Sequence, residues 1–393
     1  MKYRFTLPRD IYFGEESLAE LKNLKGHKAM VVTGGHAMQK FGWLEKTVAY
    51  LKEAGFEVRT FEGVENDPTV QTVLKGGAAM REFQPDWIVA IGGGSPIDAA
   101  KAMWVFYEYP DYKFEDLAEE KIPVLRNKAR FAAIGSTSGT GTEVTAFSVI
   151  TDPEKGIKYP LANFELTPDI AIVDPALPQS MPQKQVAFTG MDALTHAIEA
   201  YVSIFANDVC DPLSLKAAKM VNDNIVASYN GDVTARGNMH YAQCIAGMAF
   251  SNALLGITHS LAHKTGAAFS TGHVPHGCAN AMYLPHVIEC NAHDARAHAR
   301  YAEIADYLGL GGKDENEKVQ NLINRVRELD RALNIPHGLK EFGVIEDEFL
   351  AKKAEIAHNA VLDACTPENP RKMDDALMEK VLEACYYDTV VTD

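Results

Sequence analysis

Four side chains in the C-terminal half of the sequence are of the types that bind a catalytic divalent metal. One is a carboxylate, Asp192, and three are imidazoles, His196, His259 and His276. Three nitrogens and one oxygen suit Fe²⁺, Zn²⁺, Mn²⁺ or Co²⁺, and the ligand types do not choose among these ions. An open fifth position would bind a substrate oxygen, which the ion would polarise as a Lewis acid.

The spacing of these residues supports a common site. Asp192 and His196 are four residues apart in a segment predicted to be helical, so both side chains lie on one face. Such a pair alone is more often a surface ion pair. Its significance increases because four further histidines fall within 18 residues of the same half of the chain: His259, His263, His273 and His276.

A glycine-rich turn follows a predicted buried strand in the N-terminal half. The turn opens a helix, with Ser95 predicted as the N-cap and Asp98 completing a capping box. Glycines let a ligand approach the backbone, and a helix N-terminus offers free N–H groups to a pyrophosphate. A well-capped turn without a ligand is the alternative. The candidate cofactor-binding residues are Gly92, Gly93, Gly94, Ser95 and Asp98.

A second turn, residues 135–145, also leaves a predicted strand and combines hydroxyls with glycines. Hydroxyls and amides at the carboxyl end of a strand are typical of nucleotide sites in open α/β sheets. A flexible surface loop is the alternative, which the flanking apolar runs disfavour. The candidate residues here are Thr137, Ser138, Thr140 and Thr145.

Strand and helix patterns alternate up to about residue 180, which predicts a parallel, doubly wound sheet. Only helical patterns follow. We therefore expect a Rossmann-like α/β nucleotide-binding domain, residues 1–183, and an all-helical metal-binding domain, residues 184–393. The predicted strands are 28–33, 57–61, 86–91 and 130–135, alternating with helices 37–54, 70–83 and 95–107. The later helices are 185–203, 210–228, 238–264, 294–309, 315–333, 346–363 and 373–386.

Composition narrows the class of partner. The chain has 393 residues and a net charge of -15, which argues against nucleic acid or an anionic membrane as a partner. Six cysteines without a C-x-x-C pair indicate reduced thiols in a cytoplasmic protein. The N-terminus lacks the apolar core of a signal peptide, and no stretch has the length of a membrane helix.

Over nearly its whole length the sequence resembles the iron-containing, or group III, alcohol dehydrogenases. The segment Gly190–Glu199 matches the first metal signature of that family, and His259–Lys264 matches the second. The other matching segments are 92–98 and 136–145 in the nucleotide loops, 275–280 around His276, and the short motif 369–371.

The resemblance implies a fold, a reaction and residue roles. It implies a Rossmann-like domain followed by a helical domain, as in dehydroquinate synthase, assembly into homodimers, and interconversion of primary alcohols and aldehydes with NAD(P). Asp192, His196, His259 and His276 would bind Fe²⁺, or sometimes Zn²⁺. His263 would face the nicotinamide as a proton relay, and Lys158 would lie near the cofactor ribose.

Two features depart from the family pattern. The stretch between the last two ligand histidines is longer than expected, which makes His273 a rival to His276. We choose His276 because Pro-His-Gly is the family context, and expect His273 to line the cleft.

After the first strand, Gly34 and Gly35 replace the Asp typical of NAD-specific members, and Lys40 follows. Without that carboxylate nothing repels a 2′-phosphate, so NADP(H) is expected in preference to NAD(H).

Other functions remain open from the sequence. A glycerol or polyol dehydrogenase, a dehydroquinate synthase-type lyase, or a catalytically silent binding protein would have the same fold. The segments around the ligands are poor in Lys and Arg apart from Lys264, which disfavours the lyase. Glu199 would either support a ligand histidine or be solvated. Small and apolar residues predicted to line the substrate pocket favour a short aliphatic alcohol or aldehyde: Met248, Phe250, Leu254, Ala268 and Phe269.

Overall fold

A computed structural model describes residues 4–118, 121–155 and 157–391. Contacts between residues divide the chain into two compact units, with the division between Ser180 and Met181. The predicted boundary after residue 183 falls at the start of the first helix of the second unit, which begins at Gln183.

The first unit is built on a parallel sheet, as predicted. The strands are β1 (Asp10–Phe13), β2 (Lys28–Gly34), β3 (Glu57–Val64), β4 (Trp87–Gly92), β5 (Arg130–Gly135), β6 (Phe147–Asp152), β7 (Ile157–Ala162) and β8 (Ile170–Val173). Among the described residues, six strands form this sheet in the order β1-β8-β5-β4-β2-β3, and β6 pairs with β7 in a separate antiparallel hairpin. The helices of this unit are α1 (Ala37–Lys40), α2 (Trp43–Glu53), α3 (Val70–Phe83), α4 (Gly94–Glu108) and α5 (Phe114–Ala118).

The sheet has a hydrophobic core on each face. Alternate residues of β2 enter opposite cores, with Val31 in one and Met30 in the other. All of β4 is buried, as expected for a central parallel strand that is covered on both sides. Continuous apolar runs in β2, β4 and β5 therefore build the sheet and bring their carboxyl ends to one edge.

Three features of the first unit differ from the prediction. The helix predicted over 37–54 is interrupted at Gly42, whose φ of 75° lies in the left-handed region and separates α1 from α2. Strands β1 and β8 were not predicted, because four-residue strands carry too little pattern. The hairpin of β6 and β7 was missed as well.

The second unit is all-helical, as predicted. A single hydrophobic core joins its helices, and residues of α6 such as Met191 and Ile198 lie completely buried within it. The helices are α6 (Gln183–Val202), α7 (Asp211–Tyr229), α8 (Val233–Ala253), α9 (Ile257–Thr265), α10 (His276–Asn291), α11 (Ala295–Leu308), α12 (Glu315–Ala332), α13 (Leu339–Phe342), α14 (Glu346–Val361) and α15 (Asp375–Tyr387).

The prediction of one helix over 238–264 was wrong. The segment forms α8 and α9, bent by 104° at a break where Leu254 adopts a φ of 63°. Within the described part of the chain, no single helix has the length and hydropathy of a membrane span. Only the bent pair α8 and α9, taken together, meets that criterion.

Helix α10 was missed altogether. It is buried around nearly its whole circumference and contains Pro285, so it shows neither an amphipathic period nor an uninterrupted helical pattern.

Candidate active site

The structure brings Asp192, His196, His259 and His276 together, and we call these four residues the ligand cluster. Oδ1 of Asp192 lies 4.0 Å from Nε2 of His196, 3.7 Å from Nε2 of His259 and 3.6 Å from Nε2 of His276. Three imidazole nitrogens therefore surround one carboxylate oxygen. The stacked rings of His196 and His259, with centroids 4.6 Å apart, complete the group.

The ligand cluster fits a first-row divalent ion. Ligand bonds of about 2.1 Å place neighbouring donors of a tetrahedral site roughly 3.4 Å apart, close to the separations seen here. Burial opposes ionisation of Asp192, yet the imidazoles of His196, His276 and His259 hold the pKa of this carboxyl well below its usual range. The set therefore supplies one anionic oxygen and three nitrogens, a combination suited to Fe²⁺ or Zn²⁺.

A glycine allows the last ligand to reach the others. Gly277 follows His276 in the first turn of α10, and a Cβ at this position would lie 2.1 Å from the backbone oxygen of Phe188 in α6. Any larger residue would separate the two helices. The Pro-His-Gly context of His276 therefore has a packing reason, since glycine lets α10 approach the helix that carries Asp192.

Glu199 is a buried partner of His259 and is not solvated. Its Oε2 accepts a hydrogen bond from Nδ1 of His259 at 2.6 Å. This bond directs Nε2 of the ring toward Asp192. Burial favours the neutral imidazole, but Asp192 and Glu199 raise the pKa of His259 to about 9. A divalent ion that binds here therefore displaces a proton.

The break between α8 and α9 positions Glu199. Because the chain turns at Leu254, the first amides of α9 point at this carboxylate, and Gly256 and Thr258 donate to it at 3.1 and 2.7 Å. An anion at a helix N-terminus is stabilised by these unpaired N–H groups. Asn369 also accepts from the amide of Ile257 at 3.4 Å, which gives the 369–371 motif a structural role at this break.

Asn280 contacts three members of the ligand cluster. Its Nδ2 donates to Oδ1 of Asp192 at 2.8 Å and lies 3.2 Å from Nε2 of both His259 and His276. The side chain is completely buried. This amide therefore orients the carboxylate that the imidazoles share.

His263 lies beside the ligand cluster but belongs to a different hydrogen-bonded pair. Its ring stacks on that of His276, with centroids 5.4 Å apart, and its Nδ1 lies 3.1 Å from Oδ2 of Asp363. Burial works against the charge on Asp363, but His263 and Lys264 hold the pKa of this carboxyl below its usual range. The carboxylate therefore orients the His263 ring, and this leaves Nε2 available for chemistry.

His273, the rival ligand, is exposed. Its Cε1 lies 3.3 Å from the position that a Cβ on Gly266 would occupy, in the loop that connects α9 to α10. Among the described residues, the most compact group of ligand-type atoms around Asp192 comes from His259 and His276; it contains neither His273 nor His196, and Nε2 of His196 approaches Asp192 to 4.0 Å.

The two glycine turns of the first unit lie side by side. Gly92 and Gly135 are paired in register at the carboxyl ends of β4 and β5. A Cβ on Gly93 would lie 3.2 Å from Cγ2 of Thr137, and one on Gly94 would be equally close to Cγ2 of Thr140. The glycines therefore allow the second loop to lie against the first at the edge where nucleotides bind in such sheets.

The predicted capping box was wrong. Helix α4 begins at Gly94 with Gly93 as the N-cap, so Ser95 is the second residue of the helix, and the N-cap glycine provides no capping side chain. Asp98 instead accepts from Oγ1 of Thr142 at 2.6 Å and from the amide of Val149 at 3.0 Å. Helix N-termini of this kind are favourable positions for an anion such as pyrophosphate.

Lys101, which no sequence motif indicated, holds the second loop through its backbone oxygens. Its fully buried Nζ donates to the backbone oxygens of Thr142, Thr145 and Phe147, each at 2.8 Å. Burial lowers the pKa of Lys101 to about 8, although Asp98 and Glu143 oppose this effect. Thr145 therefore contributes a carbonyl to this lysine, and the buried Ser138 lies in the same loop.

The remaining predicted cofactor residues are also in the first unit. Gly34 ends β2, where a Cβ would lie 2.6 Å from the backbone oxygen of Val64, and Gly35 has a φ of 52°. Both positions therefore favour glycine for conformational or packing reasons. Lys158 of β7 forms an ion pair with Asp67 at 2.7 Å.

Two residues of the site were beyond local sequence reasoning. Asn280 is four residues after His276, a spacing that would have indicated it had α10 been predicted. Asp363 is a hundred positions from His263, and nothing near it in the sequence indicates the pairing.

Replacement of Glu199 tests its support of the ligand cluster. Glu199→Gln removes the negative charge beside His259, so metal affinity should fall about 10- to 100-fold, as for other partners of ligand histidines. The measurement is the Fe²⁺ or Zn²⁺ dissociation constant by chelator competition. Glu303→Gln is the control, because Glu303 accepts from Tyr201 at 2.6 Å in the same unit. Equal affinity in the two variants would contradict the role of Glu199.

Comparison with known proteins identifies the family. The model of the iron-containing alcohol dehydrogenases matches residues 8–175, and that of the C-terminal domain of the same family matches residues 186–386. The NADPH-dependent butanol dehydrogenase of Clostridium saccharobutylicum is 58% identical over 389 residues, 99% of each chain. The bifunctional aldehyde-alcohol dehydrogenase of Escherichia coli K12 is 41% identical over 97% of this chain, which spans only 46% of that longer protein.

Solved structures agree in fold. An iron-containing alcohol dehydrogenase from Thermococcus thioreducens superposes with a TM-score of 0.90 at 36% identity, covering 98% of this chain and all of that one. A 1,3-propanediol oxidoreductase gives 0.91 at 32% identity, with the same coverage. On these matches and on the geometry of its two units, the chain belongs to the iron-containing alcohol dehydrogenase family.

Proposed function

We propose that the protein interconverts short-chain primary alcohols and aldehydes, with NADP(H) as the hydride carrier and Fe²⁺ bound by Asp192, His196, His259 and His276. The approach of three imidazole nitrogens to the buried carboxylate of Asp192, at 3.6 to 4.0 Å, carries the proposal. The alcohol dehydrogenase relatives favour this reaction over the lyase and silent-protein alternatives. Zn²⁺ would fit the same ligands.

The residues of the chain would divide the work of the reaction. When bound, the ion supplies Lewis-acid polarisation of the substrate oxygen, and the nicotinamide gives or accepts the hydride. Glu199 and Asn280 hold the ligands in position. Phe250 stacks on His196 with centroids 4.2 Å apart and provides an apolar wall, which suits an aliphatic substrate and excludes water.

His263 would hold and move the proton. Its Nδ1 is engaged by Asp363, so its Nε2 would give a proton to the nascent alcohol or take one from it. Asp363 is then a positioning residue that keeps the imidazole in one orientation.

The cofactor preference follows from the end of β2. Glycine at positions 34 and 35 leaves no carboxylate to repel the 2′-phosphate of NADP(H). The butanol dehydrogenase relative is NADPH-dependent, which supports the same preference here. Gly92, Gly93 and Gly94, with the amides of α4, would receive the pyrophosphate, and Thr137 and Thr140 lie beside them.

An anaerobic assay with butanal tests the reaction and the cofactor. Metal-stripped protein should oxidise NADPH only after Fe²⁺ or Zn²⁺ is restored, with kcat/KM for NADPH at least about tenfold above that for NADH, a difference of about 1.4 kcal/mol. The protein without added metal is the control. Equal turnover with and without added metal would contradict the Lewis-acid role. A preference for NADH would contradict the inference of NADP(H) preference from Gly34.

Replacement of His263 tests the proton relay. His263→Ala should lower kcat by about 10²- to 10⁴-fold, because general acid–base catalysis contributes that much. Metal content should be unchanged, and added imidazole should restore part of the turnover. His358→Ala is the control, since His358 is paired with Asp375 at 2.8 Å on the surface. Full activity of His263→Ala would refute the relay.

We also propose a homodimer, as the family resemblance implies. In the part of the chain that the structure describes, strand β1 lies at one edge of the sheet, and this edge would accept a second copy. Light scattering after size exclusion should give twice the chain mass of 43.1 kDa. A mass equal to that of one chain at micromolar concentration would overturn the proposal.

A cytoplasmic location is part of the same proposal. No disulfide joins the six cysteines, all of which lie among the described residues. Reduced thiols are typical of the cytosol, where glutathione and thioredoxin keep cysteines reduced.

A further inference from the structure

Three ligand-type side chains gather beside the ligand cluster, and we call them the second cluster: His263, Asp363 and Cys365. One ligand atom from each lies within 4.8 Å of the other two. Nδ1 of His263 is 3.1 Å from Oδ2 of Asp363, and the amide of Cys365 donates to Oδ1 of Asp363 at 3.1 Å. The proposed reaction gives the thiol of Cys365 no role.

The second cluster is accessible to ions on one side. The Asp363 side chain is only 8% exposed, whereas that of His263 is 32% exposed. Cys365 is half-buried, and the five other cysteines, which are all described, are buried. Cys365 is therefore the thiol that a metal ion in solution would reach most readily.

The chemistry of this set selects for a class of ion. An imidazole, a carboxylate and a thiolate together suit Zn²⁺ and other thiophilic divalent ions, and do not suit Mg²⁺ or Ca²⁺. Three protein ligands leave a fourth tetrahedral position for water. The ligand cluster, in contrast, contains no sulfur, so the two groups differ in which ions they prefer.

Lys264 competes with a metal ion for the carboxylate of Asp363. Its Nζ lies 2.8 Å from Oδ2 of Asp363 and neutralises that carboxylate in the absence of an ion. The lysine side chain is one-third exposed and flexible, so it can move into solvent when a divalent ion takes over Asp363. As the ion binds, the S–H bond of Cys365 breaks, a metal–sulfur bond forms and the proton passes to water, without any change of oxidation state.

We propose that His263, Asp363 and Cys365 form a second metal site, for a thiophilic divalent ion such as Zn²⁺, and that occupation of this site inhibits turnover. The ion would replace the hydrogen bond between Nδ1 of His263 and Asp363 by a bond to each residue, and would thereby hold the ring away from the orientation that Asp363 gives it. The inhibition rests on the proposed role of His263, whereas the binding does not.

Titration of the iron-loaded protein with Cd²⁺ tests the binding. Because the ligand cluster lacks sulfur, an ultraviolet thiolate-to-Cd²⁺ charge-transfer band reports only a site that contains cysteine. The band should saturate at one Cd²⁺ per chain and disappear in Cys365→Ser. In His263→Ala the dissociation constant should rise at least about tenfold. His358→Ala is the matched control for a histidine–carboxylate pair, and Cys244→Ser for a cysteine, and both should keep the band.

The outcomes separate the two parts of the proposal. No band in the wild type, a band that persists in Cys365→Ser, or release of iron without a band would each overturn the second site. Cys365→Ala provides a second variant if the serine does not fold, as judged by circular dichroism. Excess Zn²⁺ should then inhibit the wild type much more than Cys365→Ser. A saturated band with full turnover would leave the metal site intact and overturn the inhibition.

Discussion

A buried carboxylate is the constraint around which the second unit is organised. Asp192 is 4% exposed on a helix inside the largest apolar core, and a charge in such a place is tolerated only when it is compensated. The compensation comes from imidazoles on three helices and from the amide of Asn280. The helices must therefore approach closely, which explains why glycine stands at position 277, where α10 meets α6.

Compensation of a buried carboxylate by neighbouring donors recurs at two further residues near Asp192. Glu199 is also buried, and its charge is met by His259 and by the first amides of α9. Those amides are available only because the chain breaks at Leu254 instead of continuing as one helix. The left-handed φ of Leu254 is unfavourable for a leucine, and it is compensated because the break lets Glu199 orient a ligand histidine. Asp363 repeats the arrangement with His263 and Lys264, on the open side of the group.

The first unit depends on the close packing of two glycine turns. In the proposed cofactor site, backbone amides would face a phosphate, because the ends of β4 and β5 are aligned and glycines stand where their loops meet. Lys101 then secures the second loop through three backbone oxygens, and the hydroxyl of Thr142 adds a hydrogen bond to Asp98 at 2.6 Å. Thr137 and Thr140 lie beside the glycines, where the proposed nucleotide would contact them.

Much of this protein can be predicted from its sequence because the signals are local. Asp192 and His196 share a helix, and the glycine turns follow continuous apolar strands, so periodicity and spacing predict the sheet, the helical unit and the first ligand pair, whereas the choice of His276 over His273 came from the family resemblance. The tertiary structure decided which partners complete them. Asn280 was hidden in a helix that is buried on all sides, and Asp363 pairs with His263 across a hundred residues. The start of α4 and the break at Leu254 also depend on packing that propensity does not encode. The local sequence pattern reflects the secondary structure that each residue prefers. The partners that compensate a buried charge are determined only when segments distant in the sequence pack together.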